Sequence, residues 1–528
     1  TRCSRDWSSD VCSSDLGLFL ADTTDLTGWA NPSMPPYSFM AAHGYLKIVA
    51  DEKKTNEADH VNFKLSTTGE TLAIVGANHS TVIDSVVFGA QTENISQGRM
   101  PDGSDNFVFF TPAGKSTPGD SNFQTITNVV INEILAHTDI PLEDAIELYN
   151  PTAEAVNISY WWLSNSRDDV KKFRIPNGTT IPAGGYKVFY EYQFNPDRTG
   201  TGRSFTLNSA KGDQVYLYSA SSDTSGTLLG ARVYKEFDAT ENGVSLGRYV
   251  TSEGKTDFVP MSRMTLGTSV TATDPAEKIS VFRTGAGAAN VYPKVGPLVI
   301  SEVMYHPVDT VPDPSGIGFL DNNQDEYVEV LNPTGQTVTL YDNQGPYSGL
   351  YYDPNFPQYG FYADGRTNTW RVRGDIDFNF PTNVSLRAGE CLLLVNFDPK
   401  TNLTQLSAFK TKFKVPAGVQ LFGPYSGKLP NGSGSVELQK PDAPQGPSHP
   451  DFREVPHIFV ERVKYSDAAP WPLDADGFGQ ALARVSFTGY ANNHTNWVAS
   501  APSPGWLVQE IAFSSITRSG SSPSFVSA

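Results

Sequence analysis

The sequence predicts an all-β protein that consists of three tandem β-sandwiches, and three observations support this fold class. Aromatic residues make up 12% of the 528 residues, whereas charged residues make up only 18%. Glycine and proline occur 45 and 37 times, a composition typical of many short strands joined by turns. Several segment types also return in a fixed order, at a spacing too long for stacked solenoid repeats.

The first recurring segment is a strand with a glutamate, a loop, and a second strand that ends in Asn-Pro. It spans 129–159 (VVINEILAHTDIPLEDAIELYNPTAEAVNIS) and returns across 298–342, where an insertion interrupts it. Glu133 and Glu302 occupy the same place in the two copies, as do Glu147 and Glu329. Because their neighbours are apolar, we expect these carboxylates to point away from the core and to be solvated or satisfied by turns. A paired functional role is the alternative.

Four further segment types follow in each copy. They are an aromatic strand with a polar loop, a turn leading into an apolar strand, a hairpin, and a strand pair that carries an arginine. In the second copy they read YWWLSNSRDD, IPAGGYKVFYEY, RSFTLNSAKGDQVYLYS and GARVYKEFDATENGVSLGRYVTSEG. Each copy closes on an aromatic residue and a stretch with proline or glycine, such as NWVASAPSPG at 496–505.

These segments define the predicted domains. Residues 17–122 form a first sandwich, which lacks the strand–loop–strand segment and is therefore expected to be truncated at its N-terminus. Residues 123–267 form the second sandwich, and 297–506 form the third, with loop insertions at 307–325 and 343–368. Residues 268–296 are predicted to be a linker and 507–528 a tail.

Residues 1–16 (TRCSRDWSSDVCSSDL) do not continue the β pattern. They contain no apolar stretch of the kind that a signal peptide needs. A metal hook or a disulfide staple made by Cys3 and Cys12 is the weaker interpretation, because no histidine lies nearby. The stretch resembles translated sequencing-adapter text, and we expect that it is not native protein.

The copies resemble bacterial lamin-tail domains. The resemblance is carried by VVINEIL…AIELYNP and its twin LVISEVMYHP…EYVEVLNP, by IPAGGYKVF, and by the long final stretch at 468–505. It covers 17–506 and implies an immunoglobulin-like β-sandwich for each copy. Such units occur in large secreted proteins of planctomycete- and verrucomicrobium-like bacteria, often beside CotH kinase-like domains, which implies an extracellular or cell-surface location.

The resemblance implies a non-catalytic role in adhesion, binding or spacing, with an unknown extracellular ligand such as a glycan or a protein. The alternative is an accessory region of a secreted hydrolase or CotH kinase-like enzyme whose catalytic domain lies outside this sequence. A lamin-like filament or chromatin scaffold is disfavoured, because no coiled-coil heptads occur and the net charge of −18 opposes binding to nucleic acid. No run of 18 apolar residues occurs, so we expect no membrane span.

No catalytic motif stands out in the sequence. It contains no G-x-S-x-G, P-loop, G-x-G-x-x-G or H-E-x-x-H pattern, and its eight histidines are never at ligand spacing. We therefore predict no catalytic residue, no cofactor and no zinc site. The loop at 346–362 (PYSGLYYDPNFPQYGFY) is either a recognition surface or a loop that packs on its own domain.

Two acidic loops are candidates for calcium. LDNNQDEYVE places Asp321, Asn323 and Asp325 at alternate positions, as in the first half of a calcium-binding loop. PLDADGFG offers Asp474 and Asp476. Both loops lack the rest of that pattern, so turn capping by Asp and Asn is the competing interpretation.

Overall fold

A computed structural model gives the fold. It describes residues 12–13, 18–23, 39–40, 44–52, 59–111, 116–139, 141–197, 204–223, 225–266, 275–309, 311–312, 318–342, 368–445, 450–452, 454–506, 516–519 and 522–525. Most of the stretch at 1–16, the loop at 346–362 and most of the tail at 507–528 lie outside these residues. The predictions made for those three regions therefore remain predictions.

The chain divides into two compact units. Unit 1 comprises Thr1–Val130, Pro151–Ala183 and Val215–Tyr234, and unit 2 comprises Ile131–Asn150, Gly184–Gln214 and Lys235–Ala528. The predicted domain boundaries remain predictions.

The first part of unit 1 contains short strands around a small core. In chain order, the described strands β1–β10 are Cys12–Ser13, Phe19–Ala21, Phe39–Met40, Val49–Ala50, His60–Val61, Glu70–Val75, Val82–Phe88, Gln97–Arg99, Phe107–Phe109 and Gln124–Thr125. Strands β6 and β7 form an antiparallel hairpin, and β2 pairs with the other edge of β6. Phe19, Ala21, Ala73 and Val75 are buried together and form the core of this three-stranded sheet.

The next part of the chain forms two five-stranded sheets. Strands β11–β21 are Val130–Leu135, Ala145–Tyr149, Val156–Asn157, Trp162–Ser164, Phe173–Arg174, Thr180–Ile181, Tyr186–Tyr190, Asp213–Ala220, Leu228–Phe237, Leu246–Val250 and Thr256–Pro260, and helix α1 is Glu191–Phe194. One sheet has the order β17-β12-β11-β20-β21, and the other has the order β10-β19-β18-β14-β15. The apolar strand predicted after Ala-Gly-Gly in 181–192 is β17, which pairs with β12 over its whole length.

The last part of the chain lies in unit 2. It begins with helix α2 (Pro275–Phe282) and contains helix α3 (Leu403–Phe413). Strands β22–β38 are Val299–Met304, Val311–Pro312, Phe319–Leu320, Tyr327–Leu331, Val338–Thr339, Arg371–Gly374, Ile376–Asn379, Ser385–Leu386, Cys391–Val395, Gln420–Phe422, Ser426–Gly427, Gly434–Pro441, His457–Tyr465, Ala481–Arg484, Trp497–Ser500, Ile516–Ser519 and Ser522–Phe525. Single 3-10 turns lie at Asn323–Asp325, Leu473–Ala475 and His494–Asn496.

These strands build a β-sandwich in unit 2. A six-stranded sheet has the order β31-β30-β25-β22-β35-β36, and a five-stranded sheet has the order β32-β28-β27-β33-β34. Side chains from both sheets, such as Ile300, Val330, Val372 and Leu438, are buried in one apolar cluster. Burying each such side chain contributes about 1.5–3 kcal/mol, so this shared core holds the two sheets together.

The strand order of the sandwich matches that of the two preceding sheets. In the first sheet, β11 carries Glu133 and lies between β20 and β12, which carries Glu147. In the sandwich, β22 carries Glu302 and lies between β35 and β25, which carries Glu329. The facing order β28-β27-β33-β34 likewise corresponds to β15-β14-β18-β19. The recurring sequence segments therefore fall on strands with the same place in their sheets.

The outer face of the six-stranded sheet is covered as well. Helix α3 begins after Asn402, whose side-chain oxygen accepts a hydrogen bond from the backbone N–H of Gln405. Its Phe409 and Phe413 pack against Tyr327 of β25, with ring centroids 5.9 and 5.5 Å from that tyrosine. All six residues of β22 are buried for this reason, because one face meets the core and the other is covered.

Part of the segment predicted as a linker is a helix that packs on a sheet. Phe282 of α2 is only 1% exposed and lies 5.2 Å from the ring of Tyr190 in a perpendicular arrangement. The hydroxyl of Tyr190 donates to the backbone oxygens of Leu266 and Gly285 at 2.9 and 3.0 Å. Arg283 adds an ion pair with the buried Glu143. Residues 275–285 therefore belong to the packed body of unit 2.

The predicted all-β fold class is confirmed. The described residues form mainly antiparallel sheets, in which three strand pairs are parallel, with short helices, as expected for immunoglobulin-like sandwiches. Among the described residues, no helix combines the length and the apolar character needed to cross a membrane.

Candidate functional site

The first predicted acidic loop lies just before β25, and its two carboxylates bind different lysines. Asp325 is buried and accepts hydrogen bonds from Lys412 Nζ at 2.6 Å and from Asn322 Nδ2 at 2.7 Å. Asp321 instead forms an ion pair with Lys428. Asn323 begins the 3-10 turn between them. Asp321 and Asp325 therefore have different partners, and calcium binding by this loop remains a prediction.

The two aspartates of the second predicted acidic loop also lie in different surroundings. Asp474 is exposed, whereas Asp476 turns inward and its Oδ1 lies 2.5 Å from Nδ1 of His306. The backbone N–H of Gly477 also donates to the backbone oxygen of His306 at 3.0 Å. The loop after β22 and the loop before β35 are thus tied together at this histidine.

His306 brings residues from both predicted loops into one cluster. Potential ligand atoms of His306, Asp309 and Asp321 all lie within 4.8 Å of one another, and all three side chains are partly buried. His306 Nε2 is 3.9 Å from Asp309 Oδ2. Within the part of the chain that the structure describes, this is the group of three such side chains that could hold a metal ion.

His306 and Asp309 were not predicted as metal ligands from the sequence. The histidine lies in the recurring LVISEVMYHP segment, and Asp309 and Asp321 lie in the insertion at 307–325. The spacing between these residues matches no ligand pattern, so only the path of the insertion brings them together. A histidine directly after a core strand and before an Asp-rich insertion is the signal that the sequence did offer.

A second feature is a pair of buried carboxylates on the six-stranded sheet. Glu302 and Glu329 are directly opposite each other on β22 and β25 and are only 2% and 5% exposed. Val328 and Val330 belong to the core of the sandwich, so Glu329 between them points to the opposite face. The expected direction is correct. Of the two expected environments, solvent is wrong, because other parts of the chain cover this face.

The segment that follows the last strand of the sandwich covers the pair. We call residues 501–505 the closing segment. Its Ser503 donates to Glu302 from the backbone N–H at 2.9 Å and from the hydroxyl at 3.2 Å. The Gly505 N–H donates to Glu329 at 2.6 Å, and the hydroxyl of Tyr327 donates to Glu302 at 2.8 Å. The closing segment thus satisfies two carboxyl groups that the fold has removed from water.

Burial and mutual repulsion make these carboxyl groups hard to ionise. Burial, followed by the charge of Glu329, raises the pKa of Glu302 to about 7. Burial also raises the pKa of Glu329. Burial and the repulsion between the two charges therefore make both carboxyl groups ionise at a higher pH than an exposed glutamate does.

The same arrangement occurs on β11 and β12. Glu133 and Glu147 are both fully buried. The backbone N–H of Thr265, in the segment after β21, donates to Glu133 at 3.0 Å. Glu147 accepts from Asn132 Nδ2 at 2.6 Å and from the backbone N–H of Ala288 at 3.2 Å. Burial raises the pKa of Glu147 to about 8 and also raises the pKa of Glu133.

Little space remains around the carboxylate pair of the sandwich. The cavity that Glu302, Glu329, Cys391 and Arg484 line is about 10 Å³, which is the size of one water. Burial, with the charge of Glu329, also raises the pKa of the Cys391 thiol well above its ordinary value. A protonated thiol is a poor nucleophile, and the cavity has no room for a substrate.

Unit 2 also contains an open cleft of about 550 Å³. Charged side chains line it, among them Glu253, Lys255, Asp375 and Lys464. Trp471 also lines the cleft and donates from its indole N–H to Glu253 at 2.7 Å. The volume falls within the range of small-molecule and saccharide sites, and the lining would favour a polar ligand.

Taken together, these features describe a β-sandwich protein with buried structural carboxylates and an open polar cleft. In a comparison with protein families, residues 123–235 match the Lamin Tail Domain. This stretch of the chain is therefore similar to a lamin tail domain.

The comparison with solved structures gives a more distant similarity. The chain is similar to the crystal structure of a DUF4876 family protein from Bacteroides thetaiotaomicron VPI-5482, with 12% sequence identity and a TM-score of 0.21. The alignment covers 72% of this chain and 93% of that chain. The search of curated proteins found no match.

Proposed function

We propose that this chain is a non-catalytic array of lamin-tail-type β-sandwich modules in a larger secreted or cell-surface protein, where it acts in adhesion, binding or spacing. The similarity to a lamin tail domain at 123–235 supports this proposal. The matching strand order of the sheets at 298–500 supports the view that they form a second module of the same type.

The recurrence of the buried carboxylate pairs is the observation that carries the proposal. A carboxyl group with a strongly raised pKa is ordinarily a candidate for a catalytic acid. Here such groups occupy equivalent strands in two places, and the segments that follow the last strands donate hydrogen bonds to both pairs. A feature that repeats with the module and is closed to solvent serves the architecture of the module.

The polar cleft is the proposed binding surface. Its lysines and carboxylates would recognise hydroxyl-rich or charged groups, such as those of a surface glycan or of a protein. The negative overall charge of the chain argues against nucleic acid as this ligand.

A glycan array and a pull-down from cell-envelope extracts test the binding role. Lys464→Glu reverses a charge that lines the cleft, whereas Lys400→Glu makes the same change at an exposed position outside it. For a ligand that the native chain binds, we expect the affinity to fall at least tenfold in K464E and to stay unchanged in K400E. Equal binding by both variants would remove the cleft from the proposal.

The location and the enzyme alternative need separate tests. Protease treatment of intact cells should degrade the protein if it lies at the surface. The complete reading frame decides whether a hydrolase or kinase-like domain accompanies these modules. Turnover of any substrate by this chain itself, with loss of turnover in Glu302→Gln, would overturn the non-catalytic role.

A further inference from the structure

We propose that His306, Asp309 and Asp321 form a binding site for a divalent first-row transition metal ion such as Zn²⁺. The three side chains offer one imidazole nitrogen and two carboxylate oxygens within 4.8 Å of one another. This site is independent of the proposed binding function of the cleft. It also differs in chemistry from the calcium sites that the sequence suggests.

The orientation of His306 is the first argument. Asp476 Oδ1 lies 2.5 Å from Nδ1 of His306, which favours the tautomer with its proton on Nδ1. The lone pair is then on Nε2, the nitrogen that faces Asp309. A carboxylate behind the histidine is the usual outer partner of a metal-bound imidazole.

The two aspartates are held in a similar manner. Asp309 accepts the backbone N–H of Asn322 on Oδ1 at 2.8 Å, which leaves Oδ2 towards His306. Asp321 accepts from Asn431 Nδ2 on Oδ1 at 3.0 Å. His306 and Asp309 are therefore each anchored through one atom and direct a second atom towards the site, whereas the second oxygen of Asp321 binds Lys428.

An unsatisfied atom lies next to this cluster. The side-chain oxygen of Asn431, the residue that anchors Asp321, is buried and has no hydrogen-bond partner. A buried acceptor that is left unpaired destabilises the folded chain. A water bound to the metal would supply a donor.

The distances require only a small contraction. Zinc binds nitrogen and oxygen ligands at about 2.0–2.2 Å, so ligand atoms on one ion lie at most about 4.4 Å apart. The separation of 3.9 Å between His306 and Asp309 already meets this limit. The imidazole selects a transition ion, because calcium and magnesium prefer sites made of oxygen atoms.

Lys428 is the competitor for this site. Its ammonium group pairs with Oδ2 of Asp321 and thereby supplies the positive charge that the carboxylates attract. A metal ion would replace the lysine on this oxygen. Removal of the ammonium group should therefore tighten metal binding.

Calorimetric titration of the full chain with ZnCl₂ tests the site. We expect one equivalent to bind to the native chain and to bind at least tenfold more tightly to Lys428→Met. His306→Gln and Asp309→Asn should each weaken this event at least tenfold, and Asp476→Asn should weaken it by roughly 10- to 100-fold. Asp474→Asn removes a charge from the same loop as Asp476 and should bind as the native chain does, and CaCl₂ should not compete.

The possible outcomes separate cleanly. Zinc binding that is unchanged in both H306Q and D309N would place the ion elsewhere and overturn the proposal. Absence of binding by the native chain, even if K428M binds, would overturn it for the native protein. A melting curve checks that each variant folds, and if H306Q fails to fold, then D309N, whose carboxylate is more exposed, decides the result.

Discussion

Replacement of Glu302 by glutamine should change how the stability of the sandwich depends on pH. Burial and the charge of Glu329 raise the pKa of Glu302 from 4.5 to about 7 in the folded chain. Between about pH 4.5 and 7 the folded chain therefore keeps a proton that the unfolded chain releases. Since the folded state binds more protons in this window, its stability falls as the pH rises through it.

The size of the effect follows from the shift. One pKa unit corresponds to about 1.4 kcal/mol, so the native chain loses about 3 kcal/mol from this group between pH 4.5 and a pH above 7. Glutamine resembles the protonated acid and does not titrate. Its oxygen can still accept from Tyr327 and from the Ser503 N–H, as Glu302 does. The stability of Glu302→Gln relative to the native chain should therefore rise by about 3 kcal/mol across this range.

Differential scanning calorimetry of both chains from pH 4.5 to 8 measures this change. For a domain of this size, about 3 kcal/mol corresponds to a relative Tm increase of about 6–12 °C for E302Q. The control is Glu93→Gln, which makes the same substitution at an exposed position and should follow the native chain at every pH. If E302Q and the native chain change in parallel, Glu302 is ionised throughout and the assignment of its proton is wrong.

Three further predictions concern the packing around these sites. Phe282→Ala should destabilise unit 2 by about 3–5 kcal/mol in guanidinium unfolding, because this side chain is buried against Tyr190; a loss below 1 kcal/mol would mean that α2 does not pack there. Arg484→Ala should lower the free energy of unfolding by about 3–5 kcal/mol, because it leaves the buried Glu461 without its partner at 2.7 Å. The double variant with Glu461→Gln should recover part of this loss. Cys391 should resist iodoacetamide at pH 8 in the native chain and react in guanidinium, as read by mass spectrometry of its peptide; fast labelling of the native chain would contradict its raised pKa.

The acidic loops show which part of the site could not be predicted from the sequence. The alternation of Asp321, Asn323 and Asp325 is visible in the sequence, but the structure gives Asp321 and Asp325 to separate lysines. Both lysines lie far along the chain from the loop. Long-range ion pairs of this kind leave no periodic signal, so the sequence could not show them.

The sequence by itself determined the fold class and the strands that carry the recurring glutamates. Alternating apolar residues, turn residues and the order of the segments are local properties, and short strands depend mainly on such local patterns. Only the tertiary structure decided the burial of Glu302 and Glu329. A strand's period of two shows which side a residue faces, but not whether another segment covers that side. Long-range packing brings the closing segment, helix α3 and the loop that carries His306 to their partners. This packing converts expected surface carboxylates into buried groups with raised pKa values.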